Sequence, residues 1–313
     1  SFKSDYQSMV SERTPFLDRA QEAAKYTLPG LLPPDGHSAS SKLPTPFQSV
    51  GARGVTNLSA KLLISMLPPG HPFFKLDVDK YTLEEIAGGD DQARAEVDKA
   101  LSSVEQTAMS SIESSPIRTT TFEGMKHLLV SGNVLLYKPP GSKKGDARVY
   151  GLDKFVVRRD TSGNLLKVIL KESISPSMLS EKVRKACGCE ESGMEKRDVD
   201  LYTGIILKDG KWEVTQEING KKVPDVKDEF PEDKNPWIVL RMQKIDGEHY
   251  GRGYVEEFLG DLISLEGLTK AIVKGSAAAA KVLFLVDPNS QTKASDLNKA
   301  QSGDFKTRRA DDI

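Results

Sequence analysis

Residues 246–286 begin as Asp246-Gly-Glu-His-Tyr-Gly-Arg-Gly-Tyr254, continue in an unbroken helical pattern to Gly275-Ser-Ala-Ala-Ala-Ala280, and close with Lys281-Val-Leu-Phe-Leu-Val286. The pattern predicts one helix over residues 254–280, about 40 Å long at roughly 1.5 Å per residue. Such a helix is longer than the usual globular helix. The stretch therefore decides the fold class, because a helix of this length needs packing partners along most of its length.

Two stripes run along this predicted helix. Apolar residues recur at three-and-four spacing on one face, with Ser276 closing the series: Val255, Phe258, Leu262, Leu265, Leu268, Ile272 and Ser276. Small residues recur at similar spacing on another face: Gly260, Ser264, Gly267, Ala271, Gly275 and Ala278. A helical glycine costs up to about 1 kcal/mol relative to alanine, so three of them indicate a packing reason. The helix is either the buried core of a large domain or a helix that packs against copies of itself.

Composition excludes several classes of protein. The 313 residues hold 44 lysines and arginines against 45 acidic residues, a net charge of −1, which argues against tight nonspecific binding of nucleic acid. The two cysteines, Cys187 and Cys189, form no disulfide framework and indicate a reducing compartment. No stretch is predicted to span a membrane or to act as a signal peptide. Both ends of the chain are expected to be trimmed, since it opens at Ser1 without methionine.

The front half of the chain is predicted to be helical and the back half to form a sheet. Helical periodicity favours helices over residues 5–26, 48–67, 91–114 and 122–131, with Pro15 marking a break or a fresh start. An extended connector is expected over 27–46 and a short strand over 73–78. Alternating patterns then predict strands over 134–137, 149–152, 155–158, 165–170, 199–207, 212–218 and 237–240, interrupted by a short helix over 176–186.

The turns between these strands carry hairpin signals. Ser162-Gly163-Asn164, Asp209-Gly210 and Asn219-Gly220 all contain residues that tolerate positive φ. Helices followed by a mostly antiparallel meander and then by a long helix predict an α+β fold.

The spacing of the candidate residues argues against metal sites and against catalytic sites. A Cys-x-Cys pair supplies too few ligands, and the four histidines have no paired spacing. Gly51-Ala-Arg-Gly54 and Gly251-Arg-Gly253 lack the complete phosphate-loop patterns, and Arg252 is expected to cap a helix or form an ion pair. No serine or cysteine has the context of a nucleophile. We expect no cofactor, no metal and no enzymatic activity.

Two groups of charged residues remain as alternatives. His249, with Glu248 and Tyr250, is the best candidate for acid–base chemistry, although a hydrogen-bonding histidine at a domain joint explains it better. The acids Glu256, Glu257, Asp261 and Glu266 fit a nuclease less well than a solvated helix surface. Basic residues follow the long helix, and they either contact phosphates or an acidic partner, or lie on a solvated loop: Lys293, Lys299, Lys306, Arg308 and Arg309.

Four groups of stretches, in colinear order, carry a resemblance to a known family. The first runs from Gln48-Ser-Val-Gly-Ala-Arg-Gly-Val-Thr-Asn-Leu-Ser to Leu67-Pro-Pro-Gly and Phe73-Phe-Lys-Leu. The others are Ser131-Gly-Asn-Val-Leu-Leu-Tyr137, Asp246-Gly-Glu-His-Tyr-Gly-Arg-Gly-Tyr254 with its continuation to Leu262, and Gln301-Ser-Gly-Asp-Phe305. None of them is a catalytic motif. Together they extend over nearly the whole chain, and they resemble the portal, or head-to-tail connector, proteins of short-tailed double-stranded-DNA phages.

The resemblance implies a ring-forming portal fold. It implies a dodecameric ring at one capsid vertex, with double-stranded DNA passing through a channel during packaging and ejection. Residues 1–245 would form most of the wing, 246–281 the first stem helix and 282–313 the first part of an α/β clip. The second stem helix, the remaining wing and the crown would lie outside this chain. Glu257 and Asp261 are candidates to face the channel, and the small stripe is a candidate contact with neighbouring subunits.

The implied partners are those of a virion vertex. They are the terminase, the tail adaptor, the major capsid protein and scaffolding or internal core proteins, without a membrane, and assembly takes place in the host cytoplasm. Two other hypotheses stay open on the residues alone. One is a nucleic-acid-binding module that forms no ring and uses the basic residues near Arg308 and Arg309. The other is a hydrolase or nuclease that uses His249.

Overall fold

The computed structural model describes residues 1–38, 40–88, 90–141, 146–189 and 198–280 of the 313 residues. By their contacts the residues divide into two units, Ser1–Ser264 and Leu265–Ile313. The helices are α1 (Phe2–Lys25), α2 (Val50–Met66), α3 (Lys80–Ala87), α4 (Asp91–Glu113), α5 (Ile117–Ser131), α6 (Glu181–Cys187) and α7 (Leu259–Ala279). The strands are β1 (Asn133–Tyr137), β2 (Arg148–Tyr150), β3 (Phe155–Arg159), β4 (Leu165–Ile174), β5 (Val199–Lys208), β6 (Lys211–Ile218), β7 (Lys221–Pro231) and β8 (Trp237–Arg241). The α+β class is confirmed.

The strands form two antiparallel sheets. The larger one is a meander in the order β3-β4-β5-β6-β7, and the smaller one has the order β2-β1-β8. Two of the predicted hairpin turns have positive φ at both central residues, with 50° and 72° at Asp209-Gly210 and 51° and 76° at Asn219-Gly220. This conformation matches the right-handed twist of the strands they join. The meander expected from the sequence is therefore present, and the small sheet is an addition to it.

The long helix is shorter than predicted. Residues Tyr254–Phe258 form a 3₁₀ turn, and the α-helix begins only at Leu259. The tighter turn allows Val255 to be buried in the core while Tyr254 and Phe258 stay exposed. Pro15, expected to interrupt the first helix, lies inside α1 instead. The lost hydrogen bond of this proline is tolerated because α1 buries apolar residues on both sides of it, from Met9 to Leu17.

Three elements differ from the sequence prediction. Residues 73–78 do not form a strand, and Leu76 N donates to the Glu105 carboxylate of α4 at 2.5 Å. α3 was not predicted, although the Asp79 side chain accepts hydrogen bonds from the backbone N–H groups of Tyr81 and Thr82, as a helix cap does. β7 was missed because it is highly charged and contains Pro224. An edge strand accommodates both features.

The main core lies where α1, α5 and the start of α7 meet the two sheets. Its fully buried members include Leu135, Leu152, Phe155, Leu170 and Tyr250. On β5, Gly204 leaves a notch that the Phe2 ring fills, since a Cβ at Gly204 would lie 2.3 Å from that ring. Among the helices of the described residues, none combines the length and apolarity that crossing a membrane needs.

The buried side chain of His127 is expected to make the stability of the protein depend on pH. The side chain is only 6% exposed, and burial lowers its pKa from 6.5 to about 4. The unfolded chain therefore binds more protons than the folded one between these two values. We expect the free energy of unfolding to fall by about 2 kcal/mol from pH 7 to pH 5 on account of this group. Urea titrations at several pH values test it, and the His127→Gln variant should lack this part of the slope. An unchanged slope in that variant would contradict the assignment.

Candidate subunit-packing helix and its anchor

The segment that leads into α7 is fixed to the end of α5 by Asn133. The Asn133 side chain accepts a hydrogen bond from Gly251 N at 2.8 Å and donates to Gly251 O at 2.8 Å. The same amide donates to Ser131 O at 2.8 Å. Because Asn133 is fully buried, these contacts give its side-chain amide the hydrogen-bond partners that burial requires.

Glycines allow two backbones to approach closely beside this clamp. Gly132 has a φ of +71°, and a Cβ there would lie 2.2 Å from the carbonyl carbon of Arg252. A Cβ on Gly253 would lie 2.3 Å from Val130 O and 3.0 Å from Leu129 O, which belong to the last turn of α5. No side chain fits at either position. Glycine at both positions therefore allows the segment before α7 to lie this close to the end of α5.

Charged and aromatic side chains complete the anchor. Arg252 pairs with Glu248 at 2.9 Å and with Glu256 at 3.1 Å, and Glu256 also pairs with Arg19 of α1 at 3.4 Å. The predicted ion pairing of Arg252 is confirmed. Tyr250 is fully buried, its hydroxyl accepts a hydrogen bond from Val157 N at 3.1 Å, and burial raises its pKa to about 12. Tyr250 is thus held in a neutral, structural state.

His249 has a structural position as well. Its Nδ1 accepts a hydrogen bond from Arg159 N at 3.3 Å, and its Nε2 lies 3.7 Å from the Glu12 carboxylate. Both ring nitrogens therefore face groups of the fold. This agrees with the interpretation of a hydrogen-bonding histidine at a joint. Within the described residues, no group of three or more histidine, cysteine, aspartate or glutamate side chains is arranged to hold a metal ion.

The acids proposed for a helix surface occupy different environments. Glu256 is part of the ion-pair network of the anchor, so its description as a solvated surface residue was wrong. Glu257 lies in the 3₁₀ turn, is exposed and accepts a hydrogen bond from the Gln243 side chain. Asp261 is exposed in the first turn of α7, where its charge offsets the helix dipole.

All six residues of the small stripe lie on α7, and all six are exposed: Gly260, Ser264, Gly267, Ala271, Gly275 and Ala278. A Cβ on any of the three glycines would meet no atom of the described residues within 4 Å. The Ser264 hydroxyl donates to Gly260 O at 2.9 Å, so the stripe presents no free donor at that position. The stripe is therefore an exposed face of the helix without large side chains.

The apolar stripe is covered only at its start. Val255 and Leu262 are buried, whereas Leu268 is 63% and Ile272 is 67% exposed. Large apolar side chains at that level of exposure are typical of a surface that meets another molecule. The basic residues Lys293, Lys299, Lys306, Arg308 and Arg309 lie outside the described residues, as does the predicted clip.

Comparison with known sequences identifies the family of the chain. A family model described as bacteriophage head to tail connecting protein matches residues 1–312. The chain belongs to this family. It is 42% identical to the portal protein of Escherichia phage T7 and 40% identical to that of Enterobacteria phage T3, in each case over 99% of the chain. The portal protein of Enterobacteria phage SP6 is 31% identical over 98%. The resemblance to portal proteins seen in the sequence is confirmed.

The chain spans about three fifths of the length of these curated relatives, with 59%, 58% and 59% of the three proteins covered. The description of the head-to-tail connecting family names a structural junction, and the names of the three relatives describe no catalytic activity. The stretches that carried the resemblance include close contacts of the fold. Gln48, for example, donates to Tyr26 O at 2.8 Å and accepts from Gly51 N at 2.9 Å.

Sequence reasoning missed the clamp made by Asn133. The sequence predicted a helix end at residue 131, and Gly132 is indeed the C-cap of α5. The further role of the asparagine depends on Gly251, which lies 118 residues away in the sequence. The available signal was an asparagine directly after a helix-ending glycine, but nothing in the sequence identified the residue that it contacts.

Proposed function

We propose that the chain is a subunit of a non-enzymatic dodecameric portal ring at one capsid vertex. Double-stranded DNA passes through the ring during packaging and ejection, and the ring binds the terminase first and the tail adaptor afterwards. In this proposal residues 1–245 belong to the wing, 246–281 to the first stem helix and 282–313 to the clip. The ring is a virion component, assembled in the host cytoplasm, that contacts the capsid protein and scaffolding or internal core proteins.

The exposed small stripe of α7 carries the proposal. A groove of glycine, alanine and serine lets a second helix approach closely over most of its length, and the exposed Leu268 and Ile272 supply apolar area beside it. Family membership supplies the context in which such contacts repeat around a ring. In this arrangement Glu257 and Asp261 face the channel, and the basic residues from Lys293 to Arg309 contact partners at the clip.

Imaging of the full chain tests the ring directly. We expect negative-stain micrographs and native mass spectra to show closed rings of twelve copies. A protein that stays monomeric at every concentration and salt condition tried would refute the proposal. A monomer that binds duplex DNA with a steep salt dependence would instead support the nucleic-acid-binding alternative.

The stripe is tested by enlarging one of its residues. Ala271→Leu inserts three carbon atoms into the proposed contact, and we expect it to weaken association between copies by about 1–3 kcal/mol. Ala277→Leu is the matched control, since it makes the same change on α7 roughly 120° around the helix from Ala271. Sedimentation velocity over a range of protein concentrations measures both. Equal association of the two variants and the unaltered chain would rule out the stripe as a subunit contact.

A further inference from the structure

Three basic side chains converge on the turn between β3 and β4. Arg159 Nη1 donates to Gly163 O at 3.1 Å. A Cβ built on Gly163 would lie 3.0 Å from Arg241 Nη2 and 3.4 Å from Lys244 Nζ. We call Arg159, Arg241 and Lys244 the Gly163 cluster. Neither a catalytic role nor the α7 stripe accounts for it.

No acid neutralises the two guanidinium groups of the cluster within the described residues. Arg159 donates to the backbone oxygens of His249, Gly163 and Val239, and Arg241 donates to Glu248 O at 2.7 Å. Burial and the neighbouring charge of Arg241 lower the pKa of Arg159 to about 10. An arginine has five N–H donors, so several donors of the pair remain for an external acceptor.

The acids next to the cluster are already engaged. Asp160 accepts hydrogen bonds from Asn164 N and Nδ2, and the Glu248 carboxylate binds Arg252. Among the described residues, the ion pair of Asp246 is with Lys244, at 3.9 Å, and the Asp246 side chain is fully exposed. The cluster is therefore a partly buried positive site whose two guanidinium groups have no acidic partner among the described residues. A carboxylate fits it well, because planar guanidinium groups bind carboxylates through paired hydrogen bonds.

The same chain carries a surplus of carboxylates elsewhere. Residues 77–113, which contain α3 and α4, hold ten acidic and three basic residues, a net charge of −7 in a chain whose total is −1. We call this segment the acidic arm. Five of its acids are exposed and have no partner among the described residues: Glu84, Glu85, Asp91, Glu96 and Asp98. A chain with an unpaired positive site and an unpaired negative segment is complementary to a second copy of itself.

We propose that the Gly163 cluster of one copy binds carboxylates of the acidic arm of the next copy in a head-to-tail contact. Such a contact joins two different surfaces, so every copy offers one of each and the pairing repeats until a ring closes. This inference rests on the proposed ring and assigns it a second contact, on residues separate from the α7 stripe. Because exposed charges take part, added salt weakens the contact.

Two variants remove one surface each. In the arm variant Glu84, Glu85, Glu96 and Asp98 become lysines, and in the cluster variant Arg241→Gln is combined with Lys244→Gln. We expect each variant alone to associate roughly tenfold or more weakly than the unaltered chain. The arm variant changes only exposed side chains without partners, so it stays informative if the cluster variant loosens the loop that Arg241 supports. Circular dichroism checks that both are folded.

Mixing the two variants is the decisive measurement. The cluster variant still has an intact arm, and the arm variant still has an intact cluster, so one contact of each mixed pair is complete. We expect native mass spectrometry of an equimolar mixture to show heterodimers at concentrations at which each variant alone remains monomeric. Rings of both variants as stable as those of the unaltered chain would overturn the inference but leave the ring itself intact. Loss of duplex DNA binding in the cluster variant, with unchanged association, would assign the site to phosphates instead. An unaltered chain that never associates would refute both proposals.

Discussion

Replacing Gly253 with alanine is expected to lower the free energy of unfolding by about 3 kcal/mol or more. The backbone of Gly253, with φ −77° and ψ 148°, is one that alanine adopts freely, so conformational strain plays no part. The cost arises because the new methyl group would lie 2.3 Å from Val130 O and 2.7 Å from the carbonyl carbon of Val130. Both atoms belong to helix backbone, which cannot move aside as a flexible side chain does. Urea denaturation followed by circular dichroism measures the loss.

Gly54→Ala is the matched control for this change. Gly54 lies inside α2, and a Cβ there would meet no atom within 4 Å in the part of the chain that the structure describes. Alanine is the better helix former, so we expect this variant to gain up to about 1 kcal/mol. If the free energy of unfolding falls in Gly253→Ala and rises in Gly54→Ala, the close approach of the backbone at Gly253 to α5 is established. A Gly253→Ala protein as stable as the unaltered chain would show that the two backbones lie further apart than described.

Arg13→Met is the second change with a large expected effect, a loss of about 3 kcal/mol in the free energy of unfolding. Arg13 is only 6% exposed, and its Nη1 donates to the Tyr6 hydroxyl at 3.0 Å and to Asp153 O at 2.9 Å. The oxygens of Leu152 and Phe155 lie at 3.3 Å from the same nitrogen. Methionine keeps much of the apolar stem but leaves these buried acceptors without a donor.

Arg158→Met serves as the comparison for Arg13. Arg158 joins the same two elements, β3 and α1, through an exposed ion pair with Glu12 at 2.9 Å. Exposed pairs contribute about 1 kcal/mol or less, so this variant should stay close to the unaltered chain. Chemical denaturation of both variants at one pH gives the difference. Similar losses for the two would mean that burial of Arg13 adds nothing beyond an ordinary surface contact.

Local sequence signals were enough for the meander and for most helices. Asp209-Gly210 and Asn219-Gly220 determine their turns through their own backbone preferences, and no distant residue is needed. The helix over residues 91–114 was likewise predicted from its own periodicity, and α4 ends one residue earlier. These elements were predictable because the residues that decide them are neighbours in the chain.

The site was less predictable because its contacts join distant segments. The stripe on α7 was found from its spacing, but the Gly163 cluster depends on β3, β8 and a turn, which no sequence window contains together. The prediction of a strand over residues 73–78 was wrong for a similar reason. An apolar run forms a strand only when another strand lies beside it, and here α4 supplies a carboxylate for Leu76 N instead.

The small sheet also has a consequence for the order in which the molecule folds. β1 and β2 pair with each other early in the chain, but β8 reaches β1 only after the whole meander, Phe155–Pro231, has been inserted between them. The meander forms between consecutive strands, whereas closing the small sheet carries the entropy cost of a loop of about one hundred residues. We therefore expect the small sheet and the Asn133 clamp to close late during synthesis. The next residues to leave the ribosome are those of α7, so the helix proposed for assembly is synthesised directly after the strand that closes the small sheet.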